Sequence, residues 1–447
     1  MTADLTRNPL IPHEFDVDEA DIARHLELDQ RMTKAARSLR ILDLASWPVG
    51  VQEQTFDAFS RGNLHNPIVE YARHDFSEAR RELEAVDAES DESHPIGRYL
   101  SESTRSWMIA AEFLENLGTA RATPLSLQLY GGPLEALPGH GPTTREAAQH
   151  FINIAEELDH ELMSPAETVE ISAVALQLQL QRELDDYFDG RVISVETDPN
   201  MLAKAAAGAT RIRLRSTAKF TDYDKHQLLQ HEAFVHSLTA LNGRLQANLP
   251  SLGLSSPRVT ATQEGLATFA EQITGSIDIG RMKRLSLRVE AVSQALEGAD
   301  FVEIYQYFRR MGQTDEESFN SAQRVFRGVP TGGGHAFTKD TVYLRGLVDV
   351  HTFFRVALRQ QELYLCRWLF AGKMTLDDVR NFAPLFRTGV LQPARWMPEW
   401  LQRANGLAGM LAFSLFANRI RLDTISDVNA VEHGAGLPSG NNTDQVS

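Results

Sequence analysis

Cysteine is almost absent from this chain. Cys366 is the single cysteine among 447 residues, which excludes an internal disulfide framework and a zinc site built from thiolates. No apolar run reaches the roughly 18 residues that a membrane-spanning helix needs, and residues 406–416 are too few to cross a bilayer. The first residues contain no apolar core like that of a signal peptide. These absences predict a cytoplasmic protein with no membrane partner.

Basic residues are too few for a general nucleic-acid binder. The chain has 44 Lys and Arg against 60 Asp and Glu, a formal net charge of −16, whereas DNA, RNA and acidic membranes attract a basic surface. The sequence therefore argues against a nucleic-acid partner. The remaining composition, 43% apolar and 23% charged residues, is that of an ordinary globular protein. The length allows two or three domains, or one enlarged catalytic domain.

Most of the chain has helical periodicity, and a central segment has that of strands. Residues 1–190 predict helices joined by polar turns, and the pattern is helical again over residues 281–416. Between them, Arg211–Arg215 alternates charged and apolar residues, so Ile212 and Leu214 are predicted to face a core. We interpret this segment as a half-solvated edge strand. The Gly-, Asn- and Ser-rich residues 427–447 are predicted to be disordered.

The sequence His231-Glu232-Ala-Phe-Val-His236 carries the chemistry of a hydrolytic metal site. Neutral imidazoles suit Zn²⁺, and a carboxylate beside the metal can take a proton from water. In the familiar arrangement the two histidines lie four residues apart on one face of an α-helix. Here they lie five apart, which on a regular helix turns them roughly 140° from each other. One metal can bind both only if the helix contains a π-type turn, so we predict one.

Two histidines leave a catalytic zinc one protein ligand short, and Glu264 is the predicted third. It lies 28 residues after His236 in Thr262-Gln-Glu-Gly-Leu-Ala267, which leaves room for a loop and an antiparallel return. The alternative is that Glu264 only complements the dipole of its helix. Glu271 lies seven residues further on and competes for the same role. We favour a different role for Glu271, the orientation of a metal-binding histidine.

Together these two motifs resemble the bacterial "flavohaemoglobin expression-modulating QEGLA motif" family, which shares its domain with the eukaryotic microtubule-associated tyrosine carboxypeptidases. Further segments carry the resemblance: Leu241-Asn-Gly243, Arg324-Val-Phe-Arg327-Gly328, and Phe337-Thr-Lys339-Asp340 with Tyr343-Leu344 and Gly346. The resemblance implies a zinc metallopeptidase in which His231, His236 and Glu264 bind the metal and Glu232 is the base. It also implies carboxypeptidase activity, with the C-terminus of a peptide or protein as substrate.

Other candidate side chains follow from what such a reaction needs. The tetrahedral oxyanion needs a hydrogen-bond donor besides the metal, and Tyr343 and His335 are the candidates near a glycine-rich loop. A free substrate carboxylate needs a basic side chain. Arg324, Arg327 and Lys339 are the first candidates and the strand arginines, Arg213 among them, the next. The strand itself is predicted to pair with extended substrate.

We therefore expect a largely helical α+β protein with three parts. Residues 1–190 are predicted to form a helical region packed on the core, residues 191–426 a zincin-like catalytic domain with a small sheet, and residues 427–447 a disordered tail. An endopeptidase or aminopeptidase of the same chemistry, or a non-catalytic regulatory protein, remains the alternative, although the presence of Glu232 favours an enzyme. Gly372-Lys373-Met374 lacks the upstream glycine and the hydroxyl residue of a phosphate-binding loop, so we assign it no function from the sequence.

Overall fold

A computed structural model describes residues 18–162, 170–199, 201 and 204–420. The predicted disordered tail, residues 427–447, lies outside the described residues. Within them the chain is mostly helical with small sheets, as predicted. The α-helices are α1 (Glu19–Ala36), α2 (Ile41–Leu44), α3 (Val49–Ser60), α4 (Ser77–Glu89), α5 (Pro95–Glu115), α6 (Ala122–Tyr130), α7 (Thr144–Leu162), α8 (Ala173–Phe188), α9 (Asp222–Gln227), α10 (Leu238–Arg244), α11 (Thr260–Ile273), α12 (Ile279–Glu297), α13 (Phe301–Arg310), α14 (Asp315–Val325), α15 (Val342–Arg359), α16 (Leu363–Trp368), α17 (Leu376–Asn381), α18 (Ala383–Thr388), α19 (Glu399–Gln402) and α20 (Ala404–Ala417).

Strands and tighter or wider helices fill the centre of the chain and several connections. The strands are β1 (Ile171–Ser172), β2 (Ser194–Asp198), β3 (Ala205–Ala207), β4 (Arg211–Arg215) and β5 (Lys219–Phe220). A π-helix, Leu228–Ser237, joins α9 to α10, and 3₁₀ helices cover Pro250–Gly253, Pro257–Val259, Thr338–Thr341 and Leu369–Ala371. No helix among the described residues is both long and apolar enough to cross a membrane.

The three-stranded sheet corrects one prediction. Ile212 and Leu214 of β4 have no exposed surface, so the predicted buried face is confirmed. The prediction of an edge strand is wrong, because β4 pairs with β2 in parallel on one side and with β3 antiparallel on the other. Alternation in a sequence reports which face of a strand is buried and not how many neighbours it has. Extended substrate therefore has no free edge of β4 to pair with.

One hydrophobic core contains helices from both halves of the described chain. Leu28 of α1, Phe113 of α5, Phe269 of α11, Phe354 of α15 and Leu411 of α20 all belong to the same buried cluster. The N-terminal helices therefore pack in the core that also holds the helices of the second half. The predicted boundaries at residues 190 and 426 stay a prediction.

A second, smaller core lies beneath the three-stranded sheet. It consists of one face of α8, the inward side chains of β2 and β4, and apolar residues of the π-helix, for example Leu180, Val195, Ile212 and Leu229. The sheet thus packs between α8 and apolar residues of the π-helix.

Close packing between α11 and α15 depends on glycine. A Cβ at Gly265 would overlap the backbone of Gly346, and a Cβ at Gly346 would overlap the carbonyl oxygen of Ala261. The two helices can approach this closely only because neither contact residue has a side chain. Glu264 precedes Gly265, so this contact also fixes its position.

Candidate metal centre

The helix that carries both histidines is wide where they lie. A capping box of Thr221 and Asp224 opens α9, and the chain then follows π-helical geometry over Leu228–Ser237 before it returns to α-helix. A π-turn closes a hydrogen bond between residues five apart, so it brings His231 and His236 to the same face. Their ring centroids are 4.8 Å apart with planes 83° to each other. The predicted π-type turn is confirmed.

Glu264 reaches the same point from α11. Its Oε2 atom lies 3.5 Å from Nε2 of His231 and 3.5 Å from Nε2 of His236. Ligands of a tetrahedral zinc ion at bond lengths near 2.0–2.1 Å are about 3.3 Å from one another. Two imidazole nitrogens and one carboxylate oxygen are also the donors that a catalytic zinc prefers, with a fourth position left open. The cluster therefore fits a zinc ion.

Glu271 fixes the orientation of His231. Its Oε1 lies 2.6 Å from Nδ1 of His231, and Arg281 donates to both carboxylate oxygens at 3.2 Å. Burial raises the pKa of Glu271, but the charge of Arg281 and the hydrogen bond from His231 outweigh it and hold that pKa below its usual value. An ionised Glu271 accepts a hydrogen bond from Nδ1–H of His231, which leaves the Nε2 lone pair for a metal. This is the role predicted for Glu271.

Lys339 keeps Glu264 charged. Its Nζ donates to Oε1 of Glu264 at 2.9 Å, on the carboxylate oxygen that does not face the histidines. Burial raises the pKa of Glu264, yet the charge of Lys339 and hydrogen bonds from both histidines hold it well below the usual value. A metal ligand has to be deprotonated, so Lys339 contributes to the cluster through Glu264.

Tyr343 and three of the basic candidates, Arg324, Arg327 and Lys339, form a second group beside the cluster. The Nζ atom of Lys339 lies 5.1 Å from the centroid of the Tyr343 ring. Arg324 binds Asp340 through two hydrogen bonds of 2.7 and 2.6 Å, so its charge is already paired. Arg327 makes no ion pair with any described residue, and burial and the nearby charge of Arg324 lower its pKa.

The structure does not bring the remaining two candidates to the cluster. Nδ1 of His335 lies 3.4 Å from Oγ1 of Thr123 on α6, and Arg213 pairs with Asp198 on β2 at 3.2 Å. Among the described residues, neither contacts a member of the metal cluster. Sequence reasoning also missed Arg281, since nothing in its local sequence indicates that it binds Glu271.

Comparison with known proteins gives a family match over most of the chain. The family model described as "Microtubule-associated tyrosine carboxypeptidase" matches residues 55–419, a range that includes the N-terminal helices from within α3 onwards and the whole metal cluster. No curated protein matches the chain significantly.

Among solved structures, an M32 carboxypeptidase from Deinococcus radiodurans R1 is similar at 15% sequence identity and a TM-score of 0.38. That alignment covers 88% of this chain and 99% of the other. At this TM-score we draw no conclusion from the similarity.

Proposed function

The chain belongs to the microtubule-associated tyrosine carboxypeptidase family, and on that premise we propose that it is a zinc-dependent carboxypeptidase with a zincin-like core. The observation that carries the proposal is the convergence of His231, His236 and Glu264, whose ligand atoms lie within 4.8 Å of one another. Three ligands of these types with a fourth position left open are typical of a catalytic zinc, whereas a structural zinc has four protein ligands. The proposed substrate is the C-terminus of a peptide or protein.

In this proposal the chain's own residues would hold the metal, orient its ligands and accept a proton from water. A bound zinc ion supplies Lewis-acid chemistry that polarises a carbonyl and makes water nucleophilic near neutral pH. Glu232 follows His231 in the π-helix and is half-buried, and it accepts the proton of the attacking water. Tyr343 donates a hydrogen bond to the developing oxyanion. Glu271 holds the ring of His231 so that only Nε2 faces the metal.

The proposal also assigns the basic candidates. Lys339 and Arg324 are paired with Glu264 and Asp340, so their proposed role is to position the ligand and the loop that carries it. Arg327 pairs with no carboxylate in the described part of the chain, and its proposed role is contact with substrate. Direct substrate contact by Arg213 and His335 stays a prediction.

Metal analysis combined with mass spectrometry of cleaved peptides tests the proposal. We expect about one zinc per chain in the wild type and in Glu232→Gln, because Glu232 is not a ligand. Stepwise loss of C-terminal residues is expected in the wild type and falls by about 10²–10⁴-fold in Glu232→Gln.

Glu53→Gln is the matched control for this experiment. Glu53 is an exposed glutamate of α3, so the variant is expected to trim peptides at the wild-type rate. Equal zinc content and equal cleavage in the wild type and Glu232→Gln would remove Glu232 from the mechanism. A wild type without zinc would reject the metal site.

A further inference from the structure

Lys373 is a buried cation that has no counter-ion among the described residues. It follows the 3₁₀ helix Leu369–Ala371, has 9% of its surface exposed, and donates from Nζ to Oγ of Ser255 at 2.8 Å. An ammonium group has three donors, and within the described part of the chain no carboxylate lies at ion-pair distance from this one. A buried charge is costly unless it is paired. The spare donors of Lys373 therefore indicate a place for an anion.

The loop that carries Lys373 is fixed to the end of the metal-binding helix. Asn242 of α10 donates to the carbonyl oxygen of Phe370 at 2.8 Å, and Gln246, which follows the end of α10, donates to that of Ala371 at 3.1 Å. The backbone N–H of Lys373 donates to the carbonyl oxygen of Leu252 at 2.7 Å. These bonds give Lys373 a defined position relative to His231 and His236. The role of Asn242 in this arrangement is to hold the loop against α10.

The charges that act on Lys373 are those of Arg244, which lowers its pKa, and of two carboxylates of the proposed active site. Burial lowers the pKa of Lys373 to about 8, while the charges of Glu264 and Glu232 act in the opposite direction. Those two carboxylates are the proposed third ligand and the proposed base, so their charges act on the ammonium group although neither lies at ion-pair distance from it. At pH 7 a lysine with this pKa is still mainly protonated.

Resting on the proposed function, we propose that Lys373 binds the free C-terminal carboxylate of the substrate. An exopeptidase that acts at this end has to hold one carboxylate beside the scissile bond, and a desolvated ammonium with spare donors is suited to it. Lys339 and Arg324 already bind carboxylates of the protein. Arg327 also pairs with no carboxylate among the described residues, but it lies beside the charge of Arg324 rather than beside Glu232 and Glu264.

Peptide binding to full-length Glu232→Gln, loaded with zinc, tests this inference without turnover. The probes are one peptide of fixed sequence with a free C-terminal carboxylate and the same peptide as its C-terminal amide, both measured by isothermal titration calorimetry. We expect the free acid to bind at least about tenfold tighter, because a charge-assisted hydrogen bond to a buried cation is lost with the amide. Adding Lys373→Met is expected to abolish that difference.

Two further variants keep the test decisive. Lys373→Gln retains a donor for Ser255 without the charge and is expected to lose the acid preference even if Lys373→Met does not fold. Lys219→Met removes an exposed lysine of β5 that pairs with Glu170 and is expected to keep the preference.

Three results would overturn the assignment: equal binding of acid and amide before Lys373 is changed, a preference that survives its substitution, or loss of the preference in Arg327→Gln alone. Absence of cleavage by the wild type would instead reject the proposed function. The binding measurement would still show whether Lys373 binds a C-terminal carboxylate.

Discussion

The carboxylate of Glu271 has no exposed surface and is shared between His231 and Arg281. Replacing it by Gln keeps the shape of the side chain. It removes the negative charge that strengthens the hydrogen bond from Nδ1–H of His231 and that pairs with Arg281. We expect Glu271→Gln to lower zinc affinity by about 10–100-fold, as is usual when the partner of a metal-binding histidine is lost. Competition with a chelator of known zinc affinity measures this change.

Glu290 of α12 offers a control of similar burial. Its side chain pairs with Arg145 at 3.0 Å, and Glu290→Gln is expected to lower stability without changing zinc affinity. Wild-type zinc affinity in Glu271→Gln would mean that His231 is oriented by its packing and not by this hydrogen bond.

The residues that the sequence reveals are those whose partners lie in the same motif. His231, Glu232 and His236 occupy one turn, and their types and spacing were enough to predict a π-turn. Lys373 was missed because its partners lie far away in the chain: Ser255 is 118 residues distant. A short stretch around a single lysine contains no sign of such a contact.

At the scale of elements, the π-helix allows two histidines five residues apart to face the same point. It supplies i to i+5 closure over Leu228–Ser237, and short π-helical turns occur often at functional sites. The strand β4 shows the opposite case. Its alternation predicted the buried face of Ile212 and Leu214, but the partners β2 and β3 are set by chain topology, which a five-residue pattern does not contain.

The contact of α11 with α15 places Glu264 and can be tested at Gly346. Gly346→Ala introduces a Cβ against the carbonyl oxygen of Ala261, so the helices have to separate. We expect a loss of about 1–3 kcal/mol in the free energy of unfolding, the usual cost of overpacking. We also expect weaker zinc binding, because Glu264 moves with α11. Urea denaturation and chelator competition measure the two effects.

Gly409→Ala is the control for this substitution. Gly409 lies in α20 and a Cβ there would meet nothing within 4 Å, so alanine is expected to stabilise the protein by about 0.5–1 kcal/mol through helix propensity. If Gly346→Ala were as stable as the wild type and bound zinc equally well, close helix packing would not be what positions Glu264.

At the scale of the whole molecule, the N-terminal helices are tied to the segment that supports Lys373. Oδ2 of Asp29 in α1 accepts a hydrogen bond from the backbone N–H of Ser251 at 3.0 Å, and Tyr99 of α5 lies 3.0 Å from the Ser251 hydroxyl. Ser251 belongs to the 3₁₀ helix whose Leu252 binds the backbone of Lys373. Because the N-terminal helices and the helices of the second half share one core, we expect them to unfold in one transition, so that Asp29 affects the stability of both.

Asp29 makes that coupling measurable as a pH dependence. Burial raises its pKa from 3.8 to about 6, although hydrogen bonds from Ser251 oppose the shift. The folded state then holds the proton more tightly than the unfolded state, so the stabilisation is complete below about pH 4 and is lost as the pH rises through 6. Asp29→Asn cannot titrate and should escape this loss. We therefore expect its free energy of unfolding, relative to the wild type, to rise by about 3 kcal/mol between pH 4 and pH 8, at 1.36 kcal/mol per pKa unit.

Urea denaturation followed in parallel by tryptophan fluorescence and circular dichroism measures this difference. The comparison between variants isolates Asp29, because the carboxylates with lowered pKa values, Glu264 and Glu271 among them, titrate equally in both proteins. A difference that is constant with pH would show that Asp29 does not titrate with folding. Two separated transitions would show that the N-terminal helices unfold independently of the rest. The effect of Asp29 would then appear only in the transition of the N-terminal helices, because a carboxylate changes only the stability of the folding unit that buries it.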